Sequence, residues 1–206
     1  KRDKSVDYIL QTAAAAKKMG AKRIVVHSGS CAKISREEAL VLAKDTIKKA
    51  VAALDAEGLS DITICPETMG KINQLGTLSE VMELCLVDER LLPCIDFGHL
   101  NARTLGGIKT SEDYEKILDE IENKLGHDRL KHMHCHFSKI EYTAGGEKRH
   151  LTFDDETFGP DFTPLAEGLS RVLAALPESP SFPEPFQLWH VDAAMDAYAA
   201  AHPALI

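Results

Sequence analysis

The stretch Asp61-Ile62-Thr63-Ile64-Cys65-Pro66-Glu67 decides how the chain is read. Its β-branched run predicts a strand over 61–65, and a carboxylate follows at once. Just upstream, residues 35–57 predict a long helix. Ser35 stands as its N-cap with Glu38 three residues later, and Gly58 stops it. Further back, 3–19 reads as a helix ending at Gly20, and 22–26 as a short strand. Downstream, a short helix is expected over 78–87, a strand over 91–95 and a helix over 111–125 closed by Gly126. A strand over 130–135, a helix over 162–176 and a further strand near 181–186 complete the series. Strands one helix apart indicate βαβ units and a parallel sheet, either doubly wound or closed into a barrel.

The ends of these strands bear on that choice. His27 follows the first, Glu67 the second, and Asp96 the third, with His99 three residues on. His134 lies at the end of the fourth, and His136 comes two residues later. In a barrel all C-terminal strand ends face one mouth, so these side chains would aim at a common point. Their nitrogen and oxygen donors suit Zn²⁺ or Mn²⁺. Each has a plainer reading taken singly: an isolated histidine is a surface residue, Glu67 a salt-bridging carboxylate, Asp96 the N-cap of a following helix. Four coincident strand ends favour the metal centre.

Composition sets outer limits. The 206 residues fit one domain, and 44% hydrophobic residues suffice for a packed core. No run approaches the roughly 18 apolar residues of a membrane span, and the N-terminus lacks a signal-peptide pattern. Five scattered cysteines without a CxxC pair point to buried thiols in a reduced, cytoplasmic setting. A formal net charge of −8 argues against a simple basic-patch DNA binder. It does not exclude a nucleic-acid enzyme whose bound cations alter the local field.

At the strand ends the chain resembles the endonuclease IV (deoxyribonuclease IV) family of the xylose-isomerase-like barrel superfamily. The matching blocks are His27-Ser28-Gly29-Ser30, Glu67-Thr68-Met69-Gly70 and Cys94-Ile95-Asp96-Phe97-Gly98-His99-Leu100-Asn101-Ala102. Met133-His134-Cys135-His136-Phe137-Ser138-Lys139 and Arg149-His150 continue them in the same order. The resemblance implies an α/β fold, the (β/α)₈ TIM barrel, and a site of two or three Zn²⁺ ions, with Mn²⁺ as the alternative. It implies cleavage of the DNA backbone 5′ of an abasic site. By position His27, Glu67, Asp96, His99, His134 and His150 match metal ligands. Glu67 matches the carboxylate that bridges two metals and is the catalytic residue of the set. Lys139, Lys148 and Arg149 are candidate phosphate contacts, and the Tyr142–Gly146 segment reads as a loop over the mouth.

Three departures accompany the resemblance. A full barrel of this kind needs roughly 250 residues, so the chain reads as a single partial barrel covering about strands 4 to 8. Lys148 stands where the family has an aspartate two residues before the ligand His150, leaving adjacent Glu147 as the substitute carboxylate. Residues 177–206 are atypical: Glu184 is the best match for a last ligand, but Pro180, Pro183 and Pro185 are poor for a central strand. The competing readings are a sugar isomerase or epimerase on the same barrel, with a sugar or sugar phosphate as partner, and an inactive truncated remnant. The ligand tally leads us to expect a weakly active or inactive chain.

Overall fold

A computed structural model describes residues 2–31 and 33–174. The element order is α1 (Arg2–Lys18), β1 (Arg23–Val26), α2 (Arg36–Ala56), β2 (Thr63–Pro66), α3 (Leu78–Cys85), β3 (Cys94–Asp96) and α4 (Phe97–Arg103). α5 (Ser111–Leu125), α6 (His127–Lys131), β4 (His134–His136), β5 (Lys139–Thr143), β6 (Gly146–Leu151) and α7 (Phe162–Ala174) follow. β1 pairs with β2 and β3 with β4, both in parallel. A parallel bridge between Glu67 and Cys94 links the two pairs, and the Thr68 N–H donates to the Cys94 carbonyl at 3.0 Å. The strands thus follow one another in chain order, as the alternation of elements predicts.

Burial explains the order. Ile24, Ile64, Ile95 and Cys135 fill the strand layer, while Ile47, Ala50 and Leu54 of α2 and Tyr114, Leu118 and Ile121 of α5 pack against it. The α5 residues recur at helical spacing, so one stripe of the helix is buried. All five cysteines are buried and unpaired. The capping box predicted for α2 is present: Ser35 accepts from the Glu38 N–H, and Glu38 reaches back to the Ser35 N–H.

Several elements differ from the sequence reading. The strand predicted over 130–135 begins only at His134, because His127–Lys131 form a helical turn after Gly126, which has φ +87°. Leu130 is buried from that turn, so an apolar residue there marks a helix rather than a strand. The strand expected over 91–95 is trimmed to Cys94–Asp96. The segment read as a loop over the mouth is an antiparallel hairpin, β5–β6. Its charged side chains hide the strand alternation. The hairpin is tied to the segment after β2: Ile72 N–H donates to Gly145 O, and Glu147 N–H to Gly70 O, each at 3.1 Å. The strand expected near 181–186 and the atypical 177–206 tail lie outside the described residues.

Candidate metal centre at the strand ends

Each strand delivers its donor at the same edge of the sheet. Glu67 follows β2 and is 3% exposed, so its carboxylate is held away from water. His27 Nε2 lies 2.7 Å from Glu67 Oε2, and His136 Nδ1 2.6 Å from Glu67 Oε1. Asp96 ends β3 and caps α4, a helix the sequence reading did not set out. Its Oδ1 accepts the His99 N–H at 2.8 Å, while Oδ2 lies 3.3 Å from His99 Nδ1 and 4.0 Å from His136 Nδ1. The helix-cap reading of Asp96 and its place in the donor cluster are therefore compatible, since the two oxygens divide the work.

His99 is oriented by the backbone. Its Nδ1 donates to the Thr68 carbonyl at 2.8 Å, which leaves Nε2 to face outward. An imidazole held this way presents its other nitrogen as a metal donor. Nε2 lies 3.6 Å from Glu147 Oε2, and His150 Nε2 lies 3.8 Å from Glu147 Oε1. Thr68 is wholly buried and also holds Asp96: its Oγ1 accepts the Asp96 N–H at 2.8 Å. Gly70 is required where this wall closes, because a Cβ there would meet Glu147 Cβ at 2.6 Å and His99 Cδ2 at 3.0 Å.

Glu147 and His150 reach His99 together because β6 is irregular. Glu141 pairs with Arg149 and Tyr142 with Glu147, so Lys148 is the extra residue of a bulge. Lys148 turns to Glu141, as does Arg149, whose Nε donates to Glu141 Oε2 at 2.6 Å. The Lys148 charge is thereby engaged by a carboxylate on the neighbouring strand. Lys139 donates to the Asp155 carbonyl and lies 3.6 Å from Asp161.

The electrostatics follow from burial and pairing. Burial pushes the Glu67 carboxyl up, but hydrogen bonds from His136 and His27 outweigh it and bring it down to about 2. The bond to Glu67 holds His27 above its usual range. Burial lowers His136, yet Glu67 raises it on balance. His134 has no such partner, and burial drives it down to about 4. Asp96 is raised by burial despite His99. Burial likewise pushes Cys65 and Cys135 up to about 12, which suits core thiols rather than thiolate ligands.

Three donor groups among the described residues could hold a metal: Glu67, Asp96 and His136; His99, Glu147 and His150; and Cys94, His134 and His136. In each, one ligand atom per residue lies within 4.8 Å of the others. Of the residues expected from the sequence, His27, Glu67, Asp96, His99, His134 and His150 all border this cluster. Glu184 lies outside the described residues. His136 is not among the ligands expected from the sequence, although its His-x-His spacing with His134 on one strand carries the signal. Glu147, read from the sequence as a substitute carboxylate, arrives beside His99 through the bulge.

Comparison with known proteins places this geometry in a family. Residues 1–172 match the family model described as xylose isomerase-like TIM barrel. An uncharacterized protein of Methanocaldococcus jannaschii is 39% identical over 158 residues, covering 77% of this chain and 57% of that protein. A probable endonuclease 4 of Staphylococcus carnosus is 30% identical over 162 residues, covering 72% of this chain and 51% of that protein. The chain thus spans little more than half the length of these relatives. Among solved structures, a D-tagatose 3-epimerase-like protein superposes with a TM-score of 0.62 at 18% identity, over 99% of this chain and 69% of that one. AP endonuclease, family 2 from Brucella melitensis gives 0.54 at 15% identity, over 83% and 57%. At these identities the superpositions show a shared fold. With its parallel strands, its strand-end donors and the match over residues 1–172, the chain belongs to the xylose isomerase-like TIM barrel family.

Proposed function

We propose that this segment carries the metal centre of a hydrolase that cleaves DNA at abasic sites. The observation that supports it best is the meeting of two donor groups at His99: Glu67, Asp96 and His136 on one side, Glu147 and His150 on the other. The donors fit divalent zinc, since they are imidazoles and carboxylates converging within a few ångströms. His27, Glu67, Asp96, His99, His134 and His150 would hold the ions, with Glu147 in place of the aspartate sought two residues before His150. When bound, such a pair of ions polarises a phosphodiester and supplies a nucleophile from water.

The chain's own residues do the rest. Glu67, buried and ionised, fixes negative charge at the centre. Thr68 and the α4 cap hold Asp96 and His99 in place, so little reorganisation remains when substrate arrives. Arg149, exposed on the hairpin, is the phosphate contact and must leave Glu141 to act. Lys139, tied to Asp155 and Asp161, steadies the base of the hairpin unless it is released. The proposal goes with a reading of the segment as strands four to eight of the barrel, supported by four parallel strands and by coverage of about half of each relative.

The second reading, a sugar isomerase or epimerase, is favoured by the likeness to the D-tagatose 3-epimerase-like protein, which extends over nearly the whole chain. One assay separates the two. Zn²⁺-loaded protein is incubated with a duplex carrying one abasic site and, separately, with a ketohexose. Chelator-sensitive nicking at the lesion, lost in Glu67→Gln, is the expected result. Epimerisation without nicking transfers the assignment to the sugar reading. Neither activity, with no metal retained, leaves an inactive remnant.

A further inference from the structure

One face of α4 grips the segment that follows β2. His99 and Arg103 stand four residues apart and so lie one above the other on the helix. His99 Nδ1 donates to the Thr68 carbonyl at 2.8 Å. One turn on, Arg103 donates from Nε to Met69 O at 2.8 Å, and from Nη2 to Lys71 O at 2.8 Å and Gln74 O at 2.6 Å. A longer contact of 3.3 Å runs from its Nη1 to Ile72 O. Arg36 approaches from α2 and donates to two of the same carbonyls, Ile72 O at 2.9 Å and Gln74 O at 3.1 Å.

The two arginines are not equivalent. Arg36 has Glu80 as its counter-ion, whereas among the described residues no carboxylate lies within ion-pair distance of Arg103. The Arg103 charge is directed wholly at neutral backbone, a demanding arrangement for a half-buried guanidinium. Shape explains it. The planar fork fans several N–H groups toward carbonyls that point in different directions, which a lysine ammonium at one point cannot copy. The carbonyls it gathers belong to a segment that has no helix or strand of its own.

That segment carries the hairpin. Gly70 O accepts the Glu147 N–H, and the Ile72 N–H donates to Gly145 O, each at 3.1 Å. Lys71 bridges to Gly146. The turn end of β5–β6 therefore hangs on residues 70–72, and Arg103 holds Met69, Lys71 and Ile72 around those points. Glu147 is the hairpin carboxylate that lies 3.6 Å from His99 Nε2 and 3.8 Å from His150 Nε2. The path from Arg103 to Glu147 runs through the backbone of one loop and returns to His99, on the very helix that Arg103 ends.

We propose that Arg103 is a positioning residue: by fastening the loop 69–74 to α4, it sets where the hairpin brings Glu147 relative to His99. It touches neither substrate nor metal. Its consequence, support of an ion at His99, Glu147 and His150, rests on the metal-centre reading given above; the hydrogen bonds that carry it do not.

The test compares Arg103→Lys, which keeps the charge and loses the fork, with Arg103→Gln, which loses both. Amide hydrogen exchange is followed by NMR on the chelator-treated full chain, and Co²⁺ binding by stepwise titration with visible absorption. In both variants the Ile72 and Glu147 amides should exchange at least about tenfold faster, with protection across β1 and β2 unchanged. Glu147→Gln identifies the ion of the His99 group as the one whose binding it weakens. Both Arg103 variants should weaken that same ion at least about tenfold and leave any other within about twofold. Adding Arg103→Lys to Glu147→Gln should weaken it little further, since both act through one carboxylate. Wild-type exchange at Ile72 and Glu147 in both variants would overturn the role. So would additive losses in the double variant, or loss of protection throughout the core, which would make Arg103 a residue of general stability. If the wild-type chain binds no ion that Glu147→Gln weakens, the metal reading of the His99 group falls. Exchange at Glu147 then decides alone whether Arg103 places the hairpin.

Discussion

Glu67 and Glu80 are two carboxylates brought to the same acidity by different neighbours. Burial raises each, and hydrogen bonds outweigh it and bring each down to about 2. Glu80 achieves this with Arg36, at 2.7 Å through both Nε and Nη2, and with the backbone N–H groups of Gly76 and Thr77. Those donors keep their protons at any ordinary pH. Arg36 also donates to the Ile72 and Gln74 carbonyls, and Arg103 to the Met69, Lys71 and Gln74 carbonyls, so the pair pins the segment that follows Glu67. Among the described residues the ion-pair partners of Glu67 are histidines, whose protons are exchangeable near neutrality and whose nitrogens then become donors to a metal. The same depressed acidity therefore marks a locked clamp in one place and an exchangeable site in the other.

The sharpest way to break this contrast is to neutralise each carboxylate. Glu67→Gln is expected to weaken Zn²⁺ or Co²⁺ binding more than about a hundredfold, since loss of a mere supporting contact already costs ten- to a hundredfold. Isothermal titration would show it, and a variant that still binds tightly would move Glu67 out of the centre. Glu80→Gln is expected to leave metal affinity near wild type and to lower stability by about 2 kcal/mol, read from urea midpoints with chelator present. Equal effects of the two changes on metal binding would dissolve the distinction.

A smaller effect separates the two by pH. A depressed carboxyl contributes stability above its ordinary value of 4.5 that is lost as pH falls toward 2, and this holds for Glu67 and Glu80 alike. The raised His27 and His136 work in the other direction. Their contribution is full below the ordinary histidine value of 6.5 and disappears as pH rises through their folded values. Metal-free protein should therefore lose stability on the neutral-to-alkaline limb, and Glu67→Gln should flatten that limb while Glu80→Gln preserves it. Denaturation midpoints from pH about 6 to 9 would check the sign. The least effect is expected at Lys148→Met: Glu141 keeps Arg149, so the thermal midpoint should not move measurably. A clear gain in metal affinity from that change would show that the Lys148 charge does reach the His99 group.

The parallel strands and their terminal donors were legible because they rest on short-range signals. Ile62-Thr63-Ile64 and Ile24-Val25-Val26 are β-branched runs, and a polar residue directly after such a run inherits its direction from the sheet. The Ser35–Glu38 cap was legible for the same reason. What stayed hidden depends on partners remote in sequence. The turn His127–Lys131 forms because Leu130 is buried there, which no local alternation announces. The hairpin Lys139–Leu151 is held by Gly70 and Ile72, some seventy residues earlier, and its own residues look like solvated charge. His136 was in plain sight at two-residue spacing from His134, but its distance to Glu67 is set by the approach of β2 to β4 across β3.

The bulge at Lys148 turns a question of chemistry into one of counting. Along a regular ladder, residues an even number of steps apart look the same way and those an odd number apart look opposite ways. Glu147 and His150 are three steps apart, and they meet His99 on one side only because Lys148 drops out of the count. Parity, rather than the identity of any side chain, decides where the carboxylate arrives. A chain that gains or loses one residue here can exchange which position supplies a donor while the donor itself stays where it was in space. On a regular ladder the residue two before His150 would face with it, but that residue is Lys148, and Glu147 one place earlier takes the position instead.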